Sequence, residues 1–128
     1  MSKAAELANL IGNINAGGGG VNRNVIINGA MNVAQRGTSS TGVGGSDGYF
    51  VCDRWNFAQA TNAGRLTMTQ DSSAPSGFAN SLKLACTTAD TSIGADEAAL
   101  IQQRIEGQNL QAFAKGTSDA NPFVLSFY

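Results

Sequence analysis

The N-terminal residues place apolar side chains at the spacing of one helix face. Ala4, Leu7, Ile11 and Ile14 follow a 3-4-3 spacing, and Leu10 widens the apolar stripe. This periodicity predicts an amphipathic helix over residues 1–16. A helix of this length is not stable alone in water, so we expect its apolar seam to be buried against a partner surface.

A glycine-rich stretch follows this helix and predicts a linker over residues 17–23, beginning with four consecutive glycines. Such a linker is flexible and does not hold the helix in one geometry. The helix could fold back on its own domain, as amphipathic helices commonly do. The flexible linker favours the other interpretation, in which residues 1–16 form an anchoring or oligomerisation helix that joins a parallel, trimeric bundle.

Beyond the linker the pattern changes to the period of two that is typical of strands, and residues 24–128 are predicted to form one mainly β domain of the sandwich type. Residues 98–107 fit a strand or a helix, and we favour a strand because a helical turn follows directly. Strands are predicted at residues 24–28, 31–35, 49–59, 65–70, 81–87, 98–107 and 122–128, with an irregular loop at 36–48 and a helical turn at 109–113.

Composition and charge exclude several classes of function. Charged residues make up 13% of the chain and the net charge is -1, which does not suit a nucleic-acid partner. The absence of histidine removes the commonest general base and metal ligand, so we expect no enzyme activity, no cofactor and no metal site. A calcium ion at Asp90 and Asp96 is a weaker alternative.

No signal peptide or membrane span is predicted. Cys52 and Cys86 are predicted to be buried free thiols rather than a disulfide.

The stretch FVCDRWNF contains the only tryptophan of the chain, Trp55, directly after Asp53 and Arg54. In an extended strand these two charged side chains point to opposite faces, so each needs its own partner. We expect a structural role: Trp55 marks the core, while Asp53 or Arg54 closes one end of the sandwich by bonding backbone groups or the turn at Gln35 and Arg36.

A sugar-binding platform is the alternative interpretation of the same stretch. In that arrangement Trp55 or Tyr49 stacks on a pyranose ring, while polar neighbours including Asn56 bond its hydroxyl groups. The final run, residues 122–128, is apolar and rich in strand formers. An apolar edge of this kind is normally covered, so we expect the domain to be truncated or to be completed by another segment.

Several short motifs, taken in order, resemble those of bacteriophage tail-fibre and related virion structural proteins, particularly of marine phages. The opening MSKAAELANLIG also resembles the N-termini of such fibres. The motifs are Gln35-Arg36-Gly37, Asp53-Arg54-Trp55, the Gln103, Ile105, Glu106 and Gly107 segment, and Leu125-Ser126-Phe127.

The resemblance implies a jelly-roll or galactose-binding-like sandwich behind an N-terminal virion-attachment segment. It implies a structural protein that is assembled in the host cytoplasm, resides in the virion and contacts other tail or virion proteins. The homotrimer is the expectation from the N-terminal helix. In the family the domain continues with further strands after the Leu-Ser-Phe segment, which is a second reason to expect an incomplete domain. A carbohydrate-binding module that attaches to a host surface glycan is the alternative function.

Overall fold

A computed structural model describes residues 3–4 and 24–128 of the chain. Lys3 and Ala4 are helical and exposed. The rest of the predicted helix 1–16, including Leu7, Leu10, Ile11 and Ile14, lies outside the described residues, as does the predicted linker 17–23.

The described architecture is mainly β, with antiparallel sheets and little helix, and it is consistent with a β-sandwich. One sheet has the strand order β1-β3-β4 and the other pairs β2 with β5. Both sheets belong to a compact unit formed by Ile26–Arg104 with Tyr128, while Ile105–Phe127 belong to a second unit. The elements are β1 (Ser39–Val43), β2 (Asn56–Ala60), β3 (Arg65–Asp71), β4 (Ser81–Thr88), β5 (Ala98–Gln102) and a 3-10 helix (Gly107–Phe113).

Both sheets contribute side chains to one core. Phe57 of β2 and Met68 of β3 are almost fully buried, at 1% and 0% exposure, and Ile101 of β5 packs against them. Apolar side chains that alternate along a strand face one side of its sheet, so each sheet turns one apolar face to the common core. The fully buried members of this core are Val43, Val51, Cys52, Phe57 and Met68.

The hairpin of β3 and β4 confirms the strands predicted at 65–70 and 81–87. Every residue of β3 has a register partner on β4, and Met68 lies opposite Leu84. In the connection, the Phe78 N–H donates to the Pro75 carbonyl at 3.0 Å and Gly77 has φ 90°. A turn of this shape needs positive φ at its third residue, which glycine adopts without strain. The alternation and the turn that indicate this hairpin both lie within its own residues.

Two further predictions are confirmed over part of their length. The strand predicted at 98–107 is β5, Ala98–Gln102, which pairs with β2 in the register Ile101 to Phe57. The helical turn predicted at 109–113 is the 3-10 helix, which ends at Ala114 with φ 47°. β5 ends at Gln102 because its partner there, Asn56, is the first residue of β2, and the residues before Asn56 form a turn.

The strands predicted at 24–28 and 31–35 are wrong, because the chain turns between them and runs on irregularly. Asn28 and Met31 both have φ 55°, and the Met31 N–H donates to the Asn28 carbonyl at 3.1 Å. This left-handed backbone conformation is incompatible with an extended strand. Alternation of apolar side chains misled the prediction, because these residues pack on the core without a backbone ladder.

The loop predicted at 36–48 is also wrong in part, since it contains β1. Ser40 pairs with Met68 and Val43 with Leu66, and the register shifts between them, where Gly42 has φ 71°. Glycine at such a position is typical of a β-bulge. The bulge interrupts the alternation that would have indicated a strand.

The strand predicted at 49–59 is correct only for residues 56–59, which belong to β2, Asn56–Ala60. The preceding residues form a turn in which the Trp55 N–H donates to the Cys52 carbonyl at 3.2 Å and Arg54 has φ 73°. Asp53 and Arg54 therefore occupy a turn and not opposite faces of a strand.

Residues 122–128 are described and form no strand, contrary to prediction. Val124 and Phe127 are 93% and 84% exposed. Strand propensity is expressed only against a neighbouring strand, and these residues have none in the described part of the chain. Within their unit, Phe123 packs its ring 5.5 Å from that of Phe113, and Lys115 Nζ lies 5.0 Å from the Phe123 ring centre.

Both cysteines are free, as predicted, but only Cys52 is buried. Cys86 is exposed because β4 is the outer strand of its sheet. In the described residues, no helix has the length and apolar character needed to cross a bilayer.

Candidate functional site

Asn28, which lies in the Asn-rich stretch before β1, forms hydrogen bonds through both its side chain and its backbone carbonyl. Its side-chain Nδ2 donates to the carbonyls of Val33 and Asp53, both at 2.9 Å, and its Oδ1 accepts from the Val33 N–H at 3.0 Å. Its own carbonyl accepts from the Met31 N–H at 3.1 Å and from the Trp55 indole N–H at 3.0 Å. We call Asn28 with these four partners the Asn28 hub.

Asparagine suits this position for two reasons. It is among the few residues besides glycine that adopt positive φ readily, and Asn28 has φ 55°. Its amide also offers two donor hydrogens and an acceptor oxygen in one plane, which reproduces the pairing of a strand backbone. The Asn28 hub therefore satisfies backbone groups that no sheet covers.

Asp53 extends the hub to a charged pair. Its backbone N–H donates to the Val33 carbonyl at 2.9 Å, and its carboxylate lies 3.1 Å from Arg36 Nη1. The Asp53 side chain is 16% exposed and that of Arg36 is 54% exposed, so this ion pair lies at the rim of the domain. The Arg36 guanidinium also stacks on the Tyr49 ring, 5.6 Å from its centre.

The structure thus brings Arg36 and Asp53 together. Gln35 and Arg36 are the central residues of a turn in which the Gly37 N–H donates to the Ala34 carbonyl at 3.3 Å. Gln35 is exposed in this turn. The ion pair ties the Gln-Arg-Gly motif to the Asp-Arg-Trp motif across seventeen positions of sequence.

Arg54 points away from this pair, because the turn at Cys52–Trp55 reverses the chain. Its Nη2 donates to the Arg104 carbonyl at 3.2 Å. The positive φ of Arg54, 73°, is uncommon for a residue with a long side chain and costs about 1–3 kcal/mol. The surrounding contacts must offset that cost.

The two aromatic residues of the stretch differ in their environment. Trp55 is half-buried, packs against the core and directs its one polar atom to Asn28. Tyr49 is 39% exposed. Asn56 is only 7% exposed, and its Oδ1 accepts from Gln102 Nε2 at 2.9 Å. The structure therefore does not bring Trp55, Tyr49 and Asn56 together on one exposed face.

Two glutamines for which the sequence predicted no structural role belong to the same arrangement. Gln103 brackets the backbone of Ile27, since its Oε1 accepts from the Ile27 N–H at 2.8 Å and its Nε2 donates to the Ile27 carbonyl at 2.7 Å. Gln70 Nε2 donates to the Met31 carbonyl at 2.5 Å. The only signal in the sequence is a glutamine at or just after the end of a strand. It does not show which backbone group the side chain bonds.

Cys52 is buried next to the Asn28 hub, and its Sγ lies 3.9 Å from the Met31 carbonyl oxygen. Burial raises the pKa of this thiol, and the negative charge of Asp53 raises it further. The thiol is therefore held in its protonated, unreactive form.

A shallow pocket of about 150 Å³ lies apart from the hub and is lined by Asn62, Asp90, Ile93, Glu97, Ala98 and Ala99. The carboxylates beside it bond their own loop: Asp90 Oδ1 accepts from the Ser92 N–H at 2.9 Å, and Glu97 Oε2 accepts from the Gly94 N–H at 2.6 Å. Among the described residues, Asp90 Oδ2 is buried without a hydrogen-bond partner, and no group of three or more acidic, histidine or cysteine residues has a metal-binding arrangement.

The geometry of the Asn28 hub indicates that it holds segments of one unit together. Its donors and acceptors are directed at backbone groups of the same unit, and its charges are paired at the rim. Comparison with protein-family models, with curated proteins and with solved structures gives no match.

Proposed function

We propose that this chain is a structural component of a bacteriophage virion fibre, and of a tail fibre rather than a capsid fibre. Residues 1–16 attach it to the particle, and the β domain acts as a spacer or adaptor toward the parts that recognise the host. The finer fold that we propose is a jelly-roll or galactose-binding-like sandwich. The chain carries no enzyme activity in this proposal.

The observation that supports this proposal best is the internal use of the Asp-Arg-Trp motif. Asp53 pairs with Arg36 at 3.1 Å, Arg54 bonds the Arg104 carbonyl at 3.2 Å, and Trp55 bonds the Asn28 carbonyl at 3.0 Å. Groups that act on a substrate need free donors or acceptors directed at a cleft. Here all three side chains hold the chain together, which suits a structural module.

Exposed apolar side chains give a second line of support. Ile93 and Leu100 are 77% and 54% exposed, and Phe127 is 84% exposed. Each of these is a large apolar side chain in contact with solvent, and contact with another protein would bury it. We propose that these contacts are made with other virion proteins and with further copies of the chain in a homotrimer.

Virion incorporation tests the proposal directly. Peptide mapping by mass spectrometry of purified particles from the source should detect peptides of this chain at the stoichiometry of a fibre component. Absence from washed particles would refute the virion function. A free binding protein would then have to be considered.

A matched pair of charge substitutions tests the attachment segment. Leu10→Asp places a carboxylate on the apolar seam predicted for residues 1–16, whereas Asn9→Asp places the same charge next to it on the polar face. We expect Leu10→Asp to abolish incorporation and oligomerisation, measured by particle mapping and sedimentation, while Asn9→Asp retains both. Equal behaviour of the two variants would contradict the attachment proposal.

A carbohydrate-binding module is the second candidate function, and the 39% exposure of the Tyr49 ring favours it. Glycan-array binding that survives removal of residues 1–20 and is lost in Tyr49→Ala would support it. No binding above background by the intact chain would count against it. The burial of Asn56 at 7% exposure removes one of the expected sugar contacts.

A further inference from the structure

Asn28 is followed by Gly29, and this is the one Asn-Gly dipeptide in the chain. Glycine has no side chain to hinder its backbone nitrogen. In an open chain the Gly29 nitrogen attacks the Asn28 Cγ. A new N–Cγ bond forms, the Cγ–Nδ2 bond breaks and ammonia leaves, giving a cyclic succinimide. Water then opens the ring to aspartate or isoaspartate, so no oxidant, reductant or cofactor is needed.

The Asn28 hub opposes this reaction in the folded protein. The attack requires the Asn28 Cγ to come within bonding distance of the Gly29 nitrogen, which takes a rotation of the side chain. That rotation would break the two bonds donated by Nδ2, each 2.9 Å long, and the bond accepted by Oδ1 from the Val33 N–H. The amide is therefore held away from the reactive geometry as long as the hub is closed.

The product cannot rebuild the hub. Deamidation replaces the Nδ2 donor with a carboxylate oxygen, which would face the carbonyl oxygens of Val33 and Asp53 at the position where the donor lay. Two acceptors and an anion repel one another when no hydrogen lies between them. Isoaspartate also lengthens the backbone by one carbon and displaces the carbonyl that receives the Trp55 indole N–H.

We propose that Asn28–Gly29 is a spontaneous modification site that the folded hub keeps closed, and that its deamidation irreversibly separates residues 28–33 from residues 53–55. Asn28 can react only while the Asn28 hub is transiently open. Once it has reacted, the hub cannot re-form, so the modified fraction grows with the number of openings. The inference concerns the chemistry of this unit and does not depend on the fibre proposal.

Deamidation rates of the intact wild-type chain test the first half of the proposal. The folded protein and the same protein in denaturant are incubated at one mildly alkaline pH and digested with trypsin. The peptide between Arg23 and Arg36 contains Asn24, Asn28 and Asn32, so two of its asparagines serve as internal controls. We expect Asn28 to react first in denaturant and at least about tenfold more slowly in the folded protein. Equal rates in both conditions would overturn the proposal.

The consequence of the reaction is tested on the deamidated fraction of folded wild-type protein, separated by its added negative charge. Trp55 is the only tryptophan, so its emission reports the hub. We expect a shift to longer wavelength and faster alkylation of Cys52 than in the unmodified fraction. Unchanged emission and unchanged alkylation would overturn the second half of the proposal.

Two substitutions provide a matched comparison. Asn28→Asp imitates the product, whereas Asn32→Asp adds the same charge at an exposed position where Oδ1 accepts from Asn80 Nδ2 at 3.0 Å, a role that a carboxylate oxygen keeps. We expect the emission shift in Asn28→Asp alone. The same shift in both variants would refute a specific role of the hub, and the wild-type rates remain decisive if Asn28→Asp does not fold.

Discussion

Two regions of the same unit satisfy their backbone groups in opposite ways. In the β3–β4 hairpin, every residue of β3 has a partner on the neighbouring strand. In the stretch from Ile27 to Val33, the side chains of Asn28, Gln70 and Gln103 supply several of the partners. They act beside backbone bonds such as that from the Asp53 N–H to the Val33 carbonyl. Met31 and Ala34 of the second region pack on the same core as Met68 of the first.

The difference shows where single side chains matter. A sheet ladder is made of backbone atoms, so most side-chain substitutions leave its hydrogen bonds in place. A backbone held by amide side chains loses its partners when one residue changes, and each lost hydrogen bond costs about 0.5–1.5 kcal/mol. We therefore expect the Asn28 hub to be sensitive to polar substitutions that the hairpin tolerates.

Trp55→Ala is expected to cause the largest loss of stability, and to cause it in the stretch from Ile27 to Val33 first. It removes a half-buried aromatic side chain and the donor to the Asn28 carbonyl, and we expect a loss of about 3 kcal/mol in the free energy of unfolding. Hydrogen exchange should show loss of protection at the amides of Met31 and Val33 before the β3–β4 amides. Trp55→Phe, which keeps an aromatic ring, should lose about 1 kcal/mol. Uniform loss of protection in both regions would contradict the distinction.

Gln103→Ala removes both hydrogen bonds to the Ile27 backbone, whose lengths are 2.8 and 2.7 Å. We expect a loss of about 1–2 kcal/mol, measured by urea unfolding. Lys83→Ala in the hairpin is the control, because it removes an exposed ion pair and should cost less than about 0.5 kcal/mol. If the two substitutions cost the same, side-chain amides are no more important here than surface charges.

The two cysteines report the two regions separately. Burial, and then the negative charge of Asp53, raise the pKa of Cys52, while Cys86 is exposed on β4. Because the thiolate is the reactive form, we expect Cys52 to be alkylated at least about tenfold more slowly than Cys86 at neutral pH, as measured by peptide mapping. Trp55→Ala should bring the alkylation rates of Cys52 and Cys86 closer together, because it removes a bond of the Asn28 hub and exposes Cys52. Equal rates in the wild-type protein would show that the hub does not shield Cys52.

The smallest expected change in stability concerns Asp71, the last residue of β3 in the hairpin. Its pKa is lowered first by the Ser73 N–H, which donates at 2.8 Å, and then by Lys83 at 3.1 Å. A carboxylate with a depressed folded pKa stabilises the fold above its ordinary pKa, and this contribution is lost as the pH falls through the folded value. Urea midpoints of the wild type and Asp71→Asn should therefore differ slightly at neutral pH and converge in acid. A difference that persists in acid would contradict the assignment.

The sequence predicted those elements whose interactions are local or repetitive. Alternation of Leu66 with Thr67 and of Leu82 with Lys83 was enough to place the hairpin, because its two strands are consecutive in the sequence and pair with each other. Alternation was not enough at residues 24–35, where no described strand pairs with the chain and Asn28 and Met31 have positive φ. Alternation reports which side chains are buried and does not report how the backbone is bonded.

The candidate site divides in the same way. Asp53, Trp55 and Arg36 were recognisable from composition, since charged and aromatic residues are scarce in this chain. The roles of Gln103 and Asn28 were not recognisable, because an amide is compatible with many partners. Asn28 bonds Val33 five positions away and Asp53 twenty-five positions away, and no local rule connects those distances.

By itself, the sequence determined a mainly β chain of low charge, its central hairpin and the presence of a chemically labile Asn-Gly pair. Only the tertiary structure decided that Arg36 pairs with Asp53, that Trp55 bonds Asn28 and that Gln103 brackets Ile27. The physical reason is that turns and strand periodicity arise from neighbouring residues, whereas a side-chain hydrogen bond forms only after the core has brought distant backbone groups within about 3 Å of each other.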